Sequence, residues 1–257
     1  MPRIVSVWLP RWPILRFLAA QASSAGEPVD PAQPFVLAAD VSGTPCIAAL
    51  NAAAEVEGIK IGETLADARA KAEKLQVRAA DPTADDAALR RLTLWATRYT
   101  PAASPWDEKN GADGFFLDVT GASHLFGGEQ KLLADLGERL ARFGLPARGA
   151  AAETAGAAWA LARFHASPVI LAAGQESEAL SRLPIEALRL SPETRRTLRR
   201  LGFRRIGALI DKPRAPFAAR FERELLLRID QALGRAAEPL AGIMPPPVYH
   251  SLRYLME

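Results

Sequence analysis

DGFFLDVTG, residues 113–121, packs an acid, an apolar run, a second acid and a glycine turn into nine positions. Phe115, Leu117 and Val119 fall on one side of an extended chain, and Phe116 and Asp118 on the other, so the run reads as a strand. Carboxylates at strand ends are the hard oxygen donors that Mg²⁺ takes. Asp113 can also start the strand as a turn residue. Asp118 can serve as a strand residue with local hydrogen bonds or as a ligand in some other arrangement. What decides between these readings is which other carboxylates the fold brings close.

Short strands and helices alternate on both sides of this run. Upstream, residues 81–100 set Leu89, Leu92, Leu94, Trp95 and Tyr99 at helical spacing, followed by a strand PAASPWD (101–107) and a turn NGADG (110–114). Downstream come an amphipathic helix 129–144 stopped by Gly144, a strand ARGAAAE (147–153), a helix capped by Thr154, and an edge strand VILAAG (169–174). At the start of the chain, IVSVWL (4–9) is a buried strand closed by Pro10, and 13–22 puts Ile14, Phe17 and Leu18 on one helical face. Between these parts lie small elements: strands 34–40 and 44–51 about Ser42-Gly43, a helix ended by Gly58, and a helix capped by Thr64. From 177 onward the pattern is of short basic helices, a Pro-broken stretch after 212, and a Pro-rich, linker-like end at 243–257. This order suits an α+β sheet with helices on one face, an early insertion and a helical tail.

A chain of 257 residues forms one large or two to three small domains and buries a real core. Hydrophobic residues make up 49% and charged residues 24%, a globular balance. Cys46 is the one cysteine, so no internal disulfide forms, which fits a reducing cytoplasm; its apolar strand makes it a small core residue. Pro2, Arg3, Pro10, Arg11 and Pro13 interrupt the first segment, so no leader is expected, and no apolar run is long enough for a membrane span. Residues 180–257 hold 15 Lys and Arg against 8 Asp and Glu, whereas 1–179 hold 17 against 21. That asymmetry points the C-terminal part toward nucleic acid.

With these elements in this order, the chain resembles the Y-family translesion DNA polymerases over about residues 3–240. IVSVWL stands at the family's first palm strand, CIAALNAAAEVEGIKIGETLADA (46–68) at its fingers motif, DGFFLDVTG at its second catalytic strand, and HASP (165–168) at its Lys-Pro. VSVWLPRWP (5–13) and LDVTGASHLFGGE (117–129) are similar to the catalytically inactive, polymerase-like branch that serves bacterial SOS mutagenesis. The resemblance implies a palm at 1–25 and 80–176 with a ferredoxin-like mixed sheet, fingers at 26–79, a helical thumb at 177–240, and a linker 241–257 to an absent little-finger domain.

In the family, carboxylates clamp two Mg²⁺ ions that activate the attacking and leaving oxygens. Aligned on its apolar core, this chain places Leu9 at the first Asp, and 1–26 contain no carboxylate at all. The Asp-Glu pair reads Asp113-Gly114. The fingers Tyr and Arg read Ala52 and Glu55, and the palm Lys reads Ser167. An acid at 55 repels a triphosphate by about 1 kcal/mol or more at 4 Å. The resemblance therefore implies a non-enzyme with no catalytic residue, no metal and no cofactor, Asp113 being the one retained carboxylate. The competing expectation is an active polymerase with displaced ligands.

The thumb's Gly-x-Gly turn reads Ser191-Pro192-Glu193, which puts close backbone approach to phosphate in doubt. Beyond it, Arg195, Arg196, Arg199, Arg200, Arg204 and Arg205 can grip a duplex backbone; a solvated helix face or a module that binds no DNA is the plainer reading. The implied partners are DNA, the RecA-like protein ImuA, the β sliding clamp and an error-prone DnaE-type polymerase, the last three mostly through regions beyond residue 257. The implied place is the cytoplasm, at the nucleoid.

Other chemistry-bearing residues read as structural. His124, His165 and His250 match no zinc spacing. Trp95, Trp106 and Trp159 read as core. Trp8 and Trp12 flank the lost site, where they either fill the emptied volume or leave it open. HLFGG (124–128) lacks the lysine of a phosphate loop.

Overall fold

The computed structural model describes residues 2–21, 28–106, 113–165, 168–221 and 223–243. Strand β1 (Ile4–Trp8) leads to helix α1 (Trp12–Gln21), then to β2 (Phe35–Val41), β3 (Thr44–Leu50), α2 (Ala52–Val56), α3 (Leu65–Lys71) and β4 (Gln76–Ala79). Next come α4 (Pro82–Ala96), β5 (Ala103–Pro105), β6 (Gly114–Asp118), α5 (Glu129–Arg142), β7 (Arg148–Ala152), α6 (Ala155–Phe164) and β8 (Val169–Ile170). The remainder is helical: α7 (Glu176–Ser181), α8 (Pro192–Arg200), α9 (Gly207–Ile210), α10 (Arg214–Arg220) and α11 (Glu224–Ala232).

Five strands form a mixed sheet in the order β5-β6-β1-β7-β8, with β1 antiparallel to both neighbours and β8 parallel to β7. Alternation along β1 and β6 sends Val5, Val7, Phe115 and Leu117 to one face, where α4 and α5 cover them. In α5, Leu132, Leu136 and Leu140 recur every fourth residue and are buried there, each stabilising by about 1.5–3 kcal/mol. The other face, with Ile4, Phe116, Ala150 and Ala152, is covered too, by α6 and the helical remainder. One covered face was expected. The difference lies in α6, whose Ala155, Ala157, Ala158, Ala160 and Ala162 are small and apolar all round, so it is buried between sheet and helices.

That burial needs close approach. A Cβ on Gly156 would meet Ala232 Cα at 2.8 Å, and Thr154 Oγ1, at the start of α6, donates to the Ala232 carbonyl at 2.9 Å. Arg189, in the left-handed region at φ 58°, sends a 2%-exposed side chain to Glu238 in two bonds of 2.7 Å. Its guanidinium also lies over Trp106 at 5.2 Å and Trp159 at 5.9 Å.

A second, three-stranded sheet has the order β3-β2-β4. Ser42 and Gly43 turn β2 into β3 with φ of 55° and 82°. Strand β4, parallel to β2, was not foreseen: QVRA is four residues long and half-buried, with no alternation to mark it. Helix α10 stands where the sequence reads as a Pro-broken stretch. Its Pro216 falls in the first helical turn, where a missing N–H costs nothing. Helix α1 joins the two sheets: Trp12 belongs to the α4/α5 core, and Ile14 packs with Phe35, Leu37 and Ala49 of the smaller sheet. Among the described residues, no helix is long and apolar enough to cross a membrane.

Candidate functional site

Between the two sheets lies a cleft of about 840 Å³, lined among others by Trp8, Arg11, Trp12, Glu55, Lys60 and Asp113. Each side has a simple local cause. Trp8 ends the central strand β1 opposite Gly114 and so stands at the end of the strands that faces the cleft. Pro10 ends the strand, and Arg11 follows in the left-handed region at φ 58°, which turns the chain into α1. On the far side, buried Asn51 fixes the start of α2. Its side-chain oxygen accepts from Ala54 N at 2.9 Å and Phe35 N at 3.0 Å, and its amide donates to the carbonyls of Pro31 at 3.1 Å and Gln33 at 2.8 Å. That places Ala52 and Glu55 on the exposed side of the helix.

Asp113 is committed to neighbours. One oxygen accepts from Trp8 Nε1 at 2.8 Å, and the other is ion-paired with Arg163 of α6. Arg163 lies over the Trp159 ring at 4.1 Å, and Arg148 lies over Trp8 at 5.4 Å. The Asp113 carbonyl accepts from Leu9 N at 2.8 Å, so the residue also zips the strand ends together. Two Mg²⁺ ions do not fit this donor set. The carboxylate already faces an internal cation, and no group of three His, Cys, Asp or Glu exists among the described residues.

The flanking positions reinforce this. Leu9 is fully buried and points into the α4/α5 core, away from the cleft. A Cβ on Gly114 would overlap the Val7 carbonyl oxygen and crowd Trp8 Cα at 3.3 Å. Glu55 is ion-paired with Arg11 across the cleft. Ser167 lies outside the described residues. Trp8 and Trp12 line the cleft and leave it open. The Trp12 indole is spent on the Asp85 carbonyl at 3.1 Å.

The arginines of the helical part gather on α8 and the turn after it. Arg196, Arg199, Arg200, Arg204 and Arg205 are exposed; Arg195 is half-buried, with its Nε lacking a hydrogen-bond partner. Arg199 is bound to Glu186 at 2.7 Å. The first turn of α8 already holds an anion: Glu224 accepts from Ser191 N at 2.6 Å, Ser191 Oγ at 3.0 Å and Thr194 Oγ1 at 2.8 Å.

Other expectations fare variously. Asp118 accepts locally from Thr120 N at 3.0 Å. Cys46 is half-buried rather than core, because β3 is an edge strand with one side open. Trp95, Trp106 and Trp159 are half-buried and pack on the cores. His124 and His165 are exposed and belong to no group of three potential metal ligands among the described residues, and His250 lies outside them. Arg11, Arg148 and Arg163 were missed. The spacing of Trp159 and Arg163, one helical turn apart, was the available signal.

Residues 19–163 match the model of the impB/mucB/samB family. The chain is 48% identical over 188 residues to Protein ImuB of Caulobacter vibrioides, in strains NA1000 / CB15N and ATCC 19089, covering 73% of this chain and 40% of that protein. It thus spans under half the length of these curated relatives. Among solved structures it is similar to DinB from Sulfolobus solfataricus, with a TM-score of 0.72 and 15% identity, covering 93% of this chain and 69% of that one. An insertion ternary complex of Dbh DNA polymerase superposes with the same figures. The fold is that of the Y-family polymerases, and with more than half of its length matched by the family model, the chain belongs to the impB/mucB/samB family.

Proposed function

We propose that this chain is the polymerase-like part of a non-catalytic translesion-synthesis accessory protein, one that holds DNA and scaffolds a mutasome in DNA damage-induced mutagenesis. Similarity to Protein ImuB and the Y-family fold support the damage-related, polymerase-like class. Within it, 1–25 and 80–176 act as palm, 26–79 as fingers, 177–240 as thumb and 241–257 as linker. The partners in this reading are DNA, ImuA, the sliding clamp and a DnaE-type polymerase, the protein partners meeting mostly regions outside this chain.

The observation that carries the non-catalytic reading is the Asp113–Arg163 pair beside Trp8. Both oxygens of this carboxylate are engaged, one by an internal guanidinium and the other by an indole N–H, and its neighbour Gly114 has no room for a second acid to share a metal with it. DNA is held instead by Arg195, Arg196, Arg199, Arg200, Arg204 and Arg205, through phosphates and without base readout.

The test has two arms on the same protein. Primer extension is run with Mg²⁺ and with Mn²⁺, and binding to primer-template DNA is followed across a salt series. The proposal expects binding that weakens with salt and no template-directed extension. Clear extension restores the reading as an active polymerase with displaced ligands; absence of salt-dependent binding removes the DNA arm.

A further inference from the structure

On the face of the five-stranded sheet opposite α6 and α8, the ends of α4 and α5 expose an aromatic and cationic surface that the cleft does not use. Trp95 is its centre. Phe143 packs edge-on against it at 5.1 Å and is 52% exposed. Beneath the surface, buried Tyr99 packs against Trp95 at 6.2 Å and against half-buried Phe126 at 5.1 Å; next to Phe126 in the chain, Leu125 is 73% exposed. Large apolar groups half in water at one place are a mark of an interaction surface.

Charge selects the partner. The segments 90–99 and 139–143 carry five arginines and no acid. Three are neutralised one turn back along their own helices: Arg90 by Asp86, Arg139 by Asp135, and Arg142 by Glu138. Arg91 and Arg98 have no carboxylate among the described residues. Arg91 sits four before Trp95 on α4, and Arg98 sits three after it in the turn that ends the helix. Arg98 lies over the indole at 4.5 Å with its Nε on the Trp95 carbonyl at 3.1 Å. Its guanidinium is thus held in place with its outer edge open to an incoming carboxylate.

We infer that this surface docks an acidic helical segment of a partner protein, with Leu or Phe anchors set among Glu or Asp. Nucleic acid is the less favoured occupant for two reasons. The indole face that a base would stack on is already covered by Arg98. The surface also lies across the sheet from α8, on the face away from the arginines directed at DNA. Aromatic residues and arginine at the centre of a patch are the types that dominate protein–protein binding energy.

The test uses the whole chain and a fluorescein-labelled synthetic helical peptide carrying Glu and Leu at i, i+4 spacing, with a same-composition scrambled peptide and a single-stranded oligo-dT as comparisons. Anisotropy is read for wild type, R91E/R98E, F143S and R196A/R200A. The expected result is peptide binding that weakens about tenfold or more in R91E/R98E and in F143S, and stays unchanged in R196A/R200A. R91E/R98E alters only exposed side chains, so it carries the test even if F143S folds poorly. The inference is overturned if the helical peptide binds no better than the scrambled one or binds not at all, or if R91E/R98E weakens oligo-dT and leaves the peptide untouched. A dimer in sedimentation that F143S abolishes also overturns it, in favour of a second copy of this chain.

Discussion

Arg163 and Asp113 meet as an ion pair in which the cation is 7% exposed and the carboxylate 34%. The buried partner is the cation, so the two halves of the pair are not equally replaceable. Asp113→Ala removes the counter-charge of a buried guanidinium and is expected to destabilise by about 2 kcal/mol, less than a fully buried pair because Asp113 is partly in water. Asp113→Asn combined with Arg163→Met recovers part of that loss. Urea unfolding of the two variants beside wild type checks the order; equal midpoints for Asp113→Ala and wild type contradict it.

Gly114→Ala forces a Cβ into the Val7 carbonyl across the β1–β6 ladder. The expected cost is about 3 kcal/mol or more, through a shifted strand pair. Gly114→Glu is worse, so restoring an acid there yields poorly folded protein and no polymerase. Circular dichroism melts of both variants decide this; a Gly114→Ala protein as stable as wild type is the contrary result.

Glu238→Ala leaves Arg189 buried with no carboxylate on the guanidinium nitrogens that Glu238 now holds. Destabilisation of about 3 kcal/mol is expected. Trp106 and Trp159 lie against that guanidinium, so their emission shifts as well. A stability loss without any change in tryptophan emission argues against the stacked arrangement.

The α8 arginines are not equal. Arg199 is tied to Glu186, whereas Arg196, Arg200, Arg204 and Arg205 have no carboxylate partner among the described residues. Arg196→Ala and Arg200→Ala together are expected to weaken primer-template binding and to lower the salt slope by roughly 0.9 for each phosphate that the protein no longer neutralises. Arg199→Ala has the smaller effect. The ranking is read from binding isotherms at several salt concentrations, and a larger effect of Arg199→Ala reverses it.

Asp135 accepts from Arg139 Nε at 2.8 Å and from Tyr99 Oη at 2.6 Å. The Arg139 bond first, and the Tyr99 bond after it, hold its carboxyl below the usual range. A lowered native pKa gives stability that is complete above about pH 4 and is lost as pH falls through the lowered value. Asp135→Asn therefore flattens the acid limb of stability against pH. Identical acid limbs for the two proteins exclude this role.

The strands around DGFFLDVTG were legible because alternation and turn residues mark them: Phe115 and Leu117 on one side, Phe116 on the other, as the two cores now divide them. What stayed hidden was long-range. Gln76–Ala79 becomes a strand only because β2 offers it a parallel partner. Arg163 reaches Asp113 from fifty residues away, and Arg11 reaches Glu55 from forty-four, by side-chain geometry that no local pattern encodes. Composition flagged a basic tail. It could not show that Glu224 already occupies the first turn of α8.

Trp12 and Ile14 stand two residues apart on α1 and anchor in different cores. Across the cleft, the Arg11–Glu55 pair is exposed and worth about 0–1 kcal/mol. The helix is therefore the firm joint between the two sheets and the ion pair a light latch, one that weakens as salt rises.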